Sequence, residues 1–187
     1  MNRYRRPRGF TLVELMVALA VLGIVAALAT PSFLTLIANN RLKSAAEQIR
    51  SDIALARSEA VKRNQVITLR FTRTSATQWC YGLRAATACD CTETTASEAD
   101  YCFLDLDGSG NRLPAVVSSS RFGNIQIEAA PFGTAGLSFS PVRPTLTSGG
   151  ATLSSPQASG SLRITASGPG RVRFCTPSGQ LSGYPSC

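Results

Sequence analysis

The sequence predicts an α+β fold: one long N-terminal helix, apolar in its first half and amphipathic in its second, packed on an antiparallel β-sheet head. Three observations carry that prediction. Residues 10–30 form an apolar run of 21 residues with a single charge, Glu14. Residues 42–60 place apolar side chains at three- and four-residue steps, which is helical periodicity. From residue 66 onward, short β-branched and aromatic segments alternate with stretches rich in Gly, Ser and Pro, the pattern of short strands and turns. Hydrophobic residues make up 44% of the chain and charged residues 16%, a balance that argues for a folded, partly membrane-embedded protein over a disordered one.

The apolar run comes first. Arg3, Arg5, Arg6 and Arg8 precede it, so a helix here orients with its N-terminus in the cytoplasm. At about 1.5 Å per residue, the run spans roughly 30 Å, one bilayer core. A secretory signal peptide is one plain reading, with Ala27-Leu28-Ala29 as its cleavage site; a single-span anchor is another. Both leave Glu14 unexplained, because a carboxylate at membrane depth costs a few kcal/mol and is by default functional.

The order of residues answers this. Gly9 closes a basic leader, and Phe10-Thr11-Leu12-Val13-Glu14 opens the apolar run directly after it. That string resembles the class III signal of type IV pilins and type II secretion pseudopilins. The resemblance implies cleavage between Gly9 and Phe10 by a prepilin peptidase, and N-methylation of Phe10. Glu14 becomes the fifth residue of the mature chain and a filament-assembly residue: the buried carboxylate is tolerable where a neighbouring subunit supplies an ammonium partner. The implied organisation is a cleaved leader at 1–9, a transmembrane and filament-core helix at 10–35, and a pilin-like head at 36–187, itself an amphipathic helix (36–63) and a β-domain (64–187). The implied location is the bacterial inner membrane, single-pass, N-terminus cytoplasmic and head periplasmic, and afterwards the pilus or cell surface.

Pro31 is expected to end or kink the first helical half. The helix then resumes, with Leu42, Ala45, Ala46, Ile49, Ile53, Ala56 and Ala60 on one stripe that should pack on a sheet. Lys43 with Glu47, and Glu59 with Lys62 or Arg63, sit at helical pairing distance on the solvated face. The helix should stop near Arg63-Asn64. Strands are expected at 66–71, 79–83, 101–106, 123–128, 137–139, 162–165 and 172–174, and a long loop at 147–160. The helix continuation, the strand after it and a C-terminal hairpin are similar to the GspH/FimT branch of pseudopilins and minor pilins.

Six cysteines are many for 187 residues, and four of them fall within 80–102. Their spacing, C-x8-C-x-C-x10-C, is not that of paired zinc ligands, and the chain has no histidine. Disulfides in an oxidising compartment are the better reading, and no metal or cofactor is called for. Cys175 and Cys187 would close the C-terminal tail. Cys89 and Cys91 are too close in sequence to pair readily, so Cys80 and Cys102 each take one of them, in either of two arrangements.

Charge is uneven. The total is +8, and removing the four leader arginines leaves +4. Residues 74–111 carry six acidic side chains and one basic, Arg84, whereas residues 112–187 carry six basic and one acidic, Glu128. Within the acidic stretch, Asp105-Leu106-Asp107-Gly108-Ser109-Gly110-Asn111 resembles the start of a calcium loop, but the twelfth position is Val116 where a bidentate acid belongs, so a tight turn is expected.

Within the basic stretch, Gly168-Pro169-Gly170 signals a turn between residues 162–166 and 171–174. Strand alternation puts Arg171 and Arg173 on one face and Val172 and Phe174 on the other, with Arg163 able to join the arginine face. Two guanidiniums about 6.6 Å apart suit neighbouring phosphates of a nucleic-acid strand, and each can bind phosphate bidentately. Outward arginines that blunt a sheet edge are the plainer reading. Gly170-Arg171-Val172-Arg173 resembles the G-R-x-R motif of the DNA-binding minor pilins of the FimT group, which implies sequence-independent binding of double-stranded DNA for natural transformation. Arg143 and Arg121 would assist, with Lys62 and Arg63 weaker candidates.

No histidine, nucleophile elbow, phosphate loop or paired-carboxylate site is present outside the turn region, so no catalysis is expected. The implied partners are other pilins in a helical filament, the prepilin peptidase, double-stranded DNA, and the inner membrane before assembly. The alternative is a minor pseudopilin of a type II secretion system, or a pilus-assembly subunit without DNA binding.

Overall fold

The computed structural model describes residues 9–105, 112–128, 131–133, 135–142, 149–168, 171–179 and 181–187. One helix, α1, runs from Leu12 to Arg63. Thr11 caps it, its hydroxyl accepting from the Glu14 amide at 3.2 Å. Thr11 and Glu14 thus stand at the two ends of a capping-box pattern, and Glu14 places its charge in the first turn, where the helix dipole favours it. At the other end Asn64 adopts the left-handed conformation and its amide returns to the last carbonyls. Pro31 lies inside α1 and does not end it: the helix continues unbroken through 52 residues. The hydroxyls of Thr30 and Thr35 back-bond to Ala26 O and Pro31 O on either side of the missing amide.

The apolar half of α1 is long and apolar enough to cross a membrane, and no residue of its most apolar window is buried. In the second half, Leu42, Ala45, Ala46, Ile49, Ile53, Ala56 and Ala60 are all buried. Four of the seven are alanines, so the helix axis can lie close to the sheets.

Among the described residues ten strands follow: β1 (Ile67–Arg73), β2 (Trp79–Ala85), β3 (Phe103–Leu104), β4 (Leu113–Pro114), β5 (Val116–Ser118), β6 (Gln126–Ile127), β7 (Leu137–Phe139), β8 (Gly149–Ser154), β9 (Leu162–Ser167) and β10 (Arg171–Cys175). They form two four-stranded antiparallel sheets, ordered β5-β2-β1-β7 and β10-β9-β8-β6, and a small β3-β4 pair. α1 packs against β1 and β7 of the first sheet and β8 and β9 of the second. One core results, joining the helix stripe to Ile67, Leu69, Leu137, Ala151, Leu153, Leu162 and Ile164.

Inside that core, polar groups find partners. The Trp79 indole donates to Ile125 O at 2.9 Å. Tyr81 OH donates to Asp52 on α1 at 2.6 Å, and Gln48 donates to the same carboxylate. Burial, with the Asp52 charge beside it, pushes the Tyr81 hydroxyl far above the ordinary tyrosine range.

The structure corrects several element boundaries. The loop expected at 147–160 contains β8, an interior strand. Its alternation is plain once paired, with Ala151 and Leu153 inward and Thr152 between them. The glycines that suggested a loop serve close approach. A side-chain carbon on Gly149 would lie 3.0 Å from Phe132 Cα, and one on Gly150 3.0 Å from Ile164 O. The expected strand at 101–106 narrows to β3, and that at 123–128 to β6. β4 and β5 were not anticipated; they are two and three residues long, too short to show a period.

Candidate nucleic-acid interface

β10 is the outermost strand of the second sheet. Its register pairs Arg171 with Ser167, Arg173 with Thr165 and Cys175 with Arg163. Arg171 and Arg173 are exposed, while Val172 and Phe174, which alternate with them, are partly buried on the opposite face. Neither arginine makes an ion pair with an acid among the described residues.

β10 is held at its C-terminal end. Cys175 is bonded to Cys187, and Thr176 pairs with the returning tail: its amide donates to Pro185 O at 2.8 Å and its carbonyl accepts from Cys187 at 3.1 Å. The tail is tied to α1 in turn. Phe174 and Tyr184 meet edge-on at 5.9 Å, and the Arg50 guanidinium stands over Phe174 at 5.5 Å. Lys43 lies over the Tyr184 ring and donates to Ser182 O at 2.7 Å, while Tyr184 OH donates to Glu47. Burial and the Glu47 charge raise the Tyr184 hydroxyl above its ordinary value. None of the contacts between the tail and α1 was foreseeable from spacing, since Lys43 and Ser182 are 139 residues apart.

Arg163 shares a sheet face with Arg171 and Arg173 by register, but its guanidinium turns to its own sheet. It donates to Thr152 Oγ1 at 3.0 Å and lies 3.5 Å from Glu128. A residue expected beside the exposed pair is therefore already engaged by the one acid of the C-terminal segment. Arg121 sits in the short 3-10 turn Ser119–Phe122 that follows β5, on the first sheet. Lys62 and Arg63 both approach Glu59, at 3.7 and 2.7 Å. Gly170 and Arg143 lie outside the described residues, as do residues 106–111 of the possible calcium loop and the leader arginines. Gly9, Phe10 and Glu14 are exposed at the start of the chain's apolar half.

The remaining cysteines pair as Cys80–Cys91 and Cys89–Cys102. The four form their own buried cluster beside β2. Gly82 faces them: any side-chain carbon there would overlap Cys102 Sγ and Cβ. The bridges pin residues 89–102 into a knuckle. Asp90 braces it by accepting from the Thr92 amide, the Thr92 hydroxyl and Thr72, which holds its carboxyl below the usual range, the Thr92 amide foremost. Arg84 and Arg112 stack on Phe103 and donate to Ala99 O and Ala96 O of the knuckle. Among the described residues, no group of three or more His, Cys, Asp or Glu side chains stands in a position to hold a metal ion.

Comparison with known proteins yields two family matches. Residues 45–170, about two thirds of the chain, match the type II transport protein GspH family, and residues 4–30 match the prokaryotic N-terminal methylation motif. Among solved structures, the chain is similar to the minor pseudopilin EpsH from the type 2 secretion system of Vibrio cholerae. That similarity has 13% identity and a TM-score of 0.47, over 73% of this chain and 98% of that one. No curated protein matches at a significant level.

Proposed function

The chain belongs to the GspH family and carries the prokaryotic N-terminal methylation motif, and from that premise we propose that it is a minor pilin of a type IV pilus that binds double-stranded DNA for uptake. The leader is removed between Gly9 and Phe10 by a prepilin peptidase, and Phe10 is methylated. The apolar half of α1 anchors the chain in the inner membrane, N-terminus cytoplasmic and head periplasmic, until it enters a filament with other pilins. Residues 10–35 then form the core of the filament and residues 36–187 the head. Glu14 pairs there with the N-terminal ammonium of a neighbouring subunit.

One observation carries the DNA reading: Arg171 and Arg173 stand exposed, with no acidic partner among the described residues, on an outer strand tied down by a disulfide and an aromatic contact. Rigid, desolvation-tolerant guanidiniums bind phosphates without a large ordering cost. Gly170 and Arg143, which lie outside the described residues, belong to the same proposal on the G-R-x-R resemblance and on charge alone. Phosphate contacts carry no sequence information, so binding is sequence-independent and salt-sensitive.

The test is a gel shift of the full chain in detergent with double-stranded DNA of two unrelated sequences, across a salt series. Wild type should bind both alike. The Arg171→Ala/Arg173→Ala double variant, with disulfides verified by mass, should bind more weakly, and its slope of log affinity against log salt should be smaller by roughly 2. Absence of wild-type binding at low salt, or equal binding by the variant, would remove the DNA reading.

A second reading then leads: an assembly subunit or minor pseudopilin of a type II secretion system, without DNA binding. The family description favours it directly, since GspH proteins are type II transport proteins.

A further inference from the structure

Beneath β10 lies an open groove of about 630 Å³ between that strand and the exposed side of α1. Its apolar surface comes from Ala54, Val61 and Val172, and its rim from Arg50, Arg57 and Lys62. Val61 is 62% exposed, a large apolar side chain left in water beside three cations. Arg50 and Lys62 stand 3.7 Å from Glu47 and Glu59, but Arg57 has no ion pair among the described residues. The groove is therefore apolar at its base and cationic at its edge.

The same chain carries the complement. Residues 94–100 of the disulfide-pinned knuckle are exposed throughout and present Glu98 and Asp100. Next to them Leu113 is 44% exposed, tied in by Arg112, whose guanidinium donates to Ala96 O at 2.6 Å. The knuckle departs from β2 of the first sheet, whereas the groove lies under β10 of the second. No ion pair joins them within one chain, among the described residues.

We propose that this groove receives the acidic knuckle of a second copy of the chain, with Glu98 and Asp100 against Arg57 and Lys62, and Leu113 against Val61. Two different surfaces meet, so the contact is heterologous, and repeated it adds copies in line. The bridges Cys80–Cys91 and Cys89–Cys102 give it value: a knuckle already ordered loses little entropy on docking. The contact uses the inner side of β10 and leaves the outward face of Arg171 and Arg173 open, so it stands whether or not those arginines bind DNA.

The experiment uses the full chain in detergent with a photo-crosslinking benzophenone amino acid at position 61, and two tags to tell copies apart. Wild type should give a crosslinked dimer whose second peptide maps to residues 93–113. Arg57→Glu alone and Glu98→Arg alone should each reduce that product about tenfold or more, because each sets like charges face to face. Mixing an Arg57→Glu copy with a Glu98→Arg copy should restore it in the pairing that joins the reversed groove to the reversed knuckle. A variant that merely misfolds cannot be rescued by the other. A crosslink that maps elsewhere, no rescue on mixing, or loss of the dimer on adding double-stranded DNA would overturn the proposal. The last outcome would assign the rim cations to nucleic acid.

Discussion

Glu59 is buried on α1, and its carboxylate accepts from Arg63 Nε at 2.7 Å with Lys62 at 3.7 Å. The Arg63 hydrogen bond, reinforced by Lys62, holds it below its ordinary value of 4.5 against an opposing effect of burial. A depressed carboxyl stabilises the fold above its unfolded value and loses that contribution as the pH falls through its folded value. The Glu59→Gln variant should therefore unfold more easily than wild type at neutral pH. The gap should close as the pH drops from about 5 downward, read by thermal unfolding across a pH series. A gap that is constant with pH would mean the loss is one of packing. The spacing of Glu59, Lys62 and Arg63 was readable along the helix. Its burial was not, because the apolar stripe at Ile53, Ala56 and Ala60 says nothing of a carboxylate at its border. Asp52 is a second such case: its partner Tyr81 arrives from a strand 29 residues away.

At the scale of elements, β10 shows how much alternation can tell. The exposed positions of Arg171 and Arg173 follow from a period of two, and so does the inward turn of Val172 and Phe174. What holds the strand comes from elsewhere: the tail closed by Cys175–Cys187 and clasped by Lys43, Glu47 and Arg50. Replacing both cysteines with serine should lower unfolding stability by about 2–4 kcal/mol. If Arg171 and Arg173 bind DNA as proposed, it should also weaken that binding without touching an arginine, measured by the same salt series. Unchanged binding would show that the strand's pairing with β9 positions the arginines unaided. β8 shows the opposite limit of sequence reading. Gly149 and Gly150 are loop signals by composition, yet they sit in an interior strand, where neighbouring backbone and ring atoms crowd the place a side-chain carbon would take.

Across the whole molecule, the chain divides into a head with a shared core and an apolar helical half that packs on nothing in the described residues. Phe10, Leu12, Val13 and Leu15 are all more than half exposed. Glu14 stands among them in the first turn of α1, where the N-terminal dipole favours its charge. If its carboxylate pairs with a neighbour's ammonium, Glu14→Ala should leave membrane insertion and leader cleavage intact. The variant should enter the filament fraction at about a tenth of the wild-type level or less, because a buried ammonium without its partner is costly. Quantifying the chain in sheared filament preparations against total membranes checks this. Equal incorporation would restrict Glu14 to its helix-capping role.

By itself the sequence determined the helix, its stripe, the β-rich head and the leader string, because each is written in residues a few positions apart. Periods of 3.6 and 2 and a helix stop near Asn64 need no knowledge of what lies across the core. Only the tertiary structure decided that Cys80 bonds Cys91 and Cys89 bonds Cys102, that Arg163 turns to Glu128 and away from the exposed pair, and that the tail clasps α1. Those outcomes depend on which strands become neighbours. Strand neighbours are selected by burial of the whole core, a long-range sum that no local spacing records.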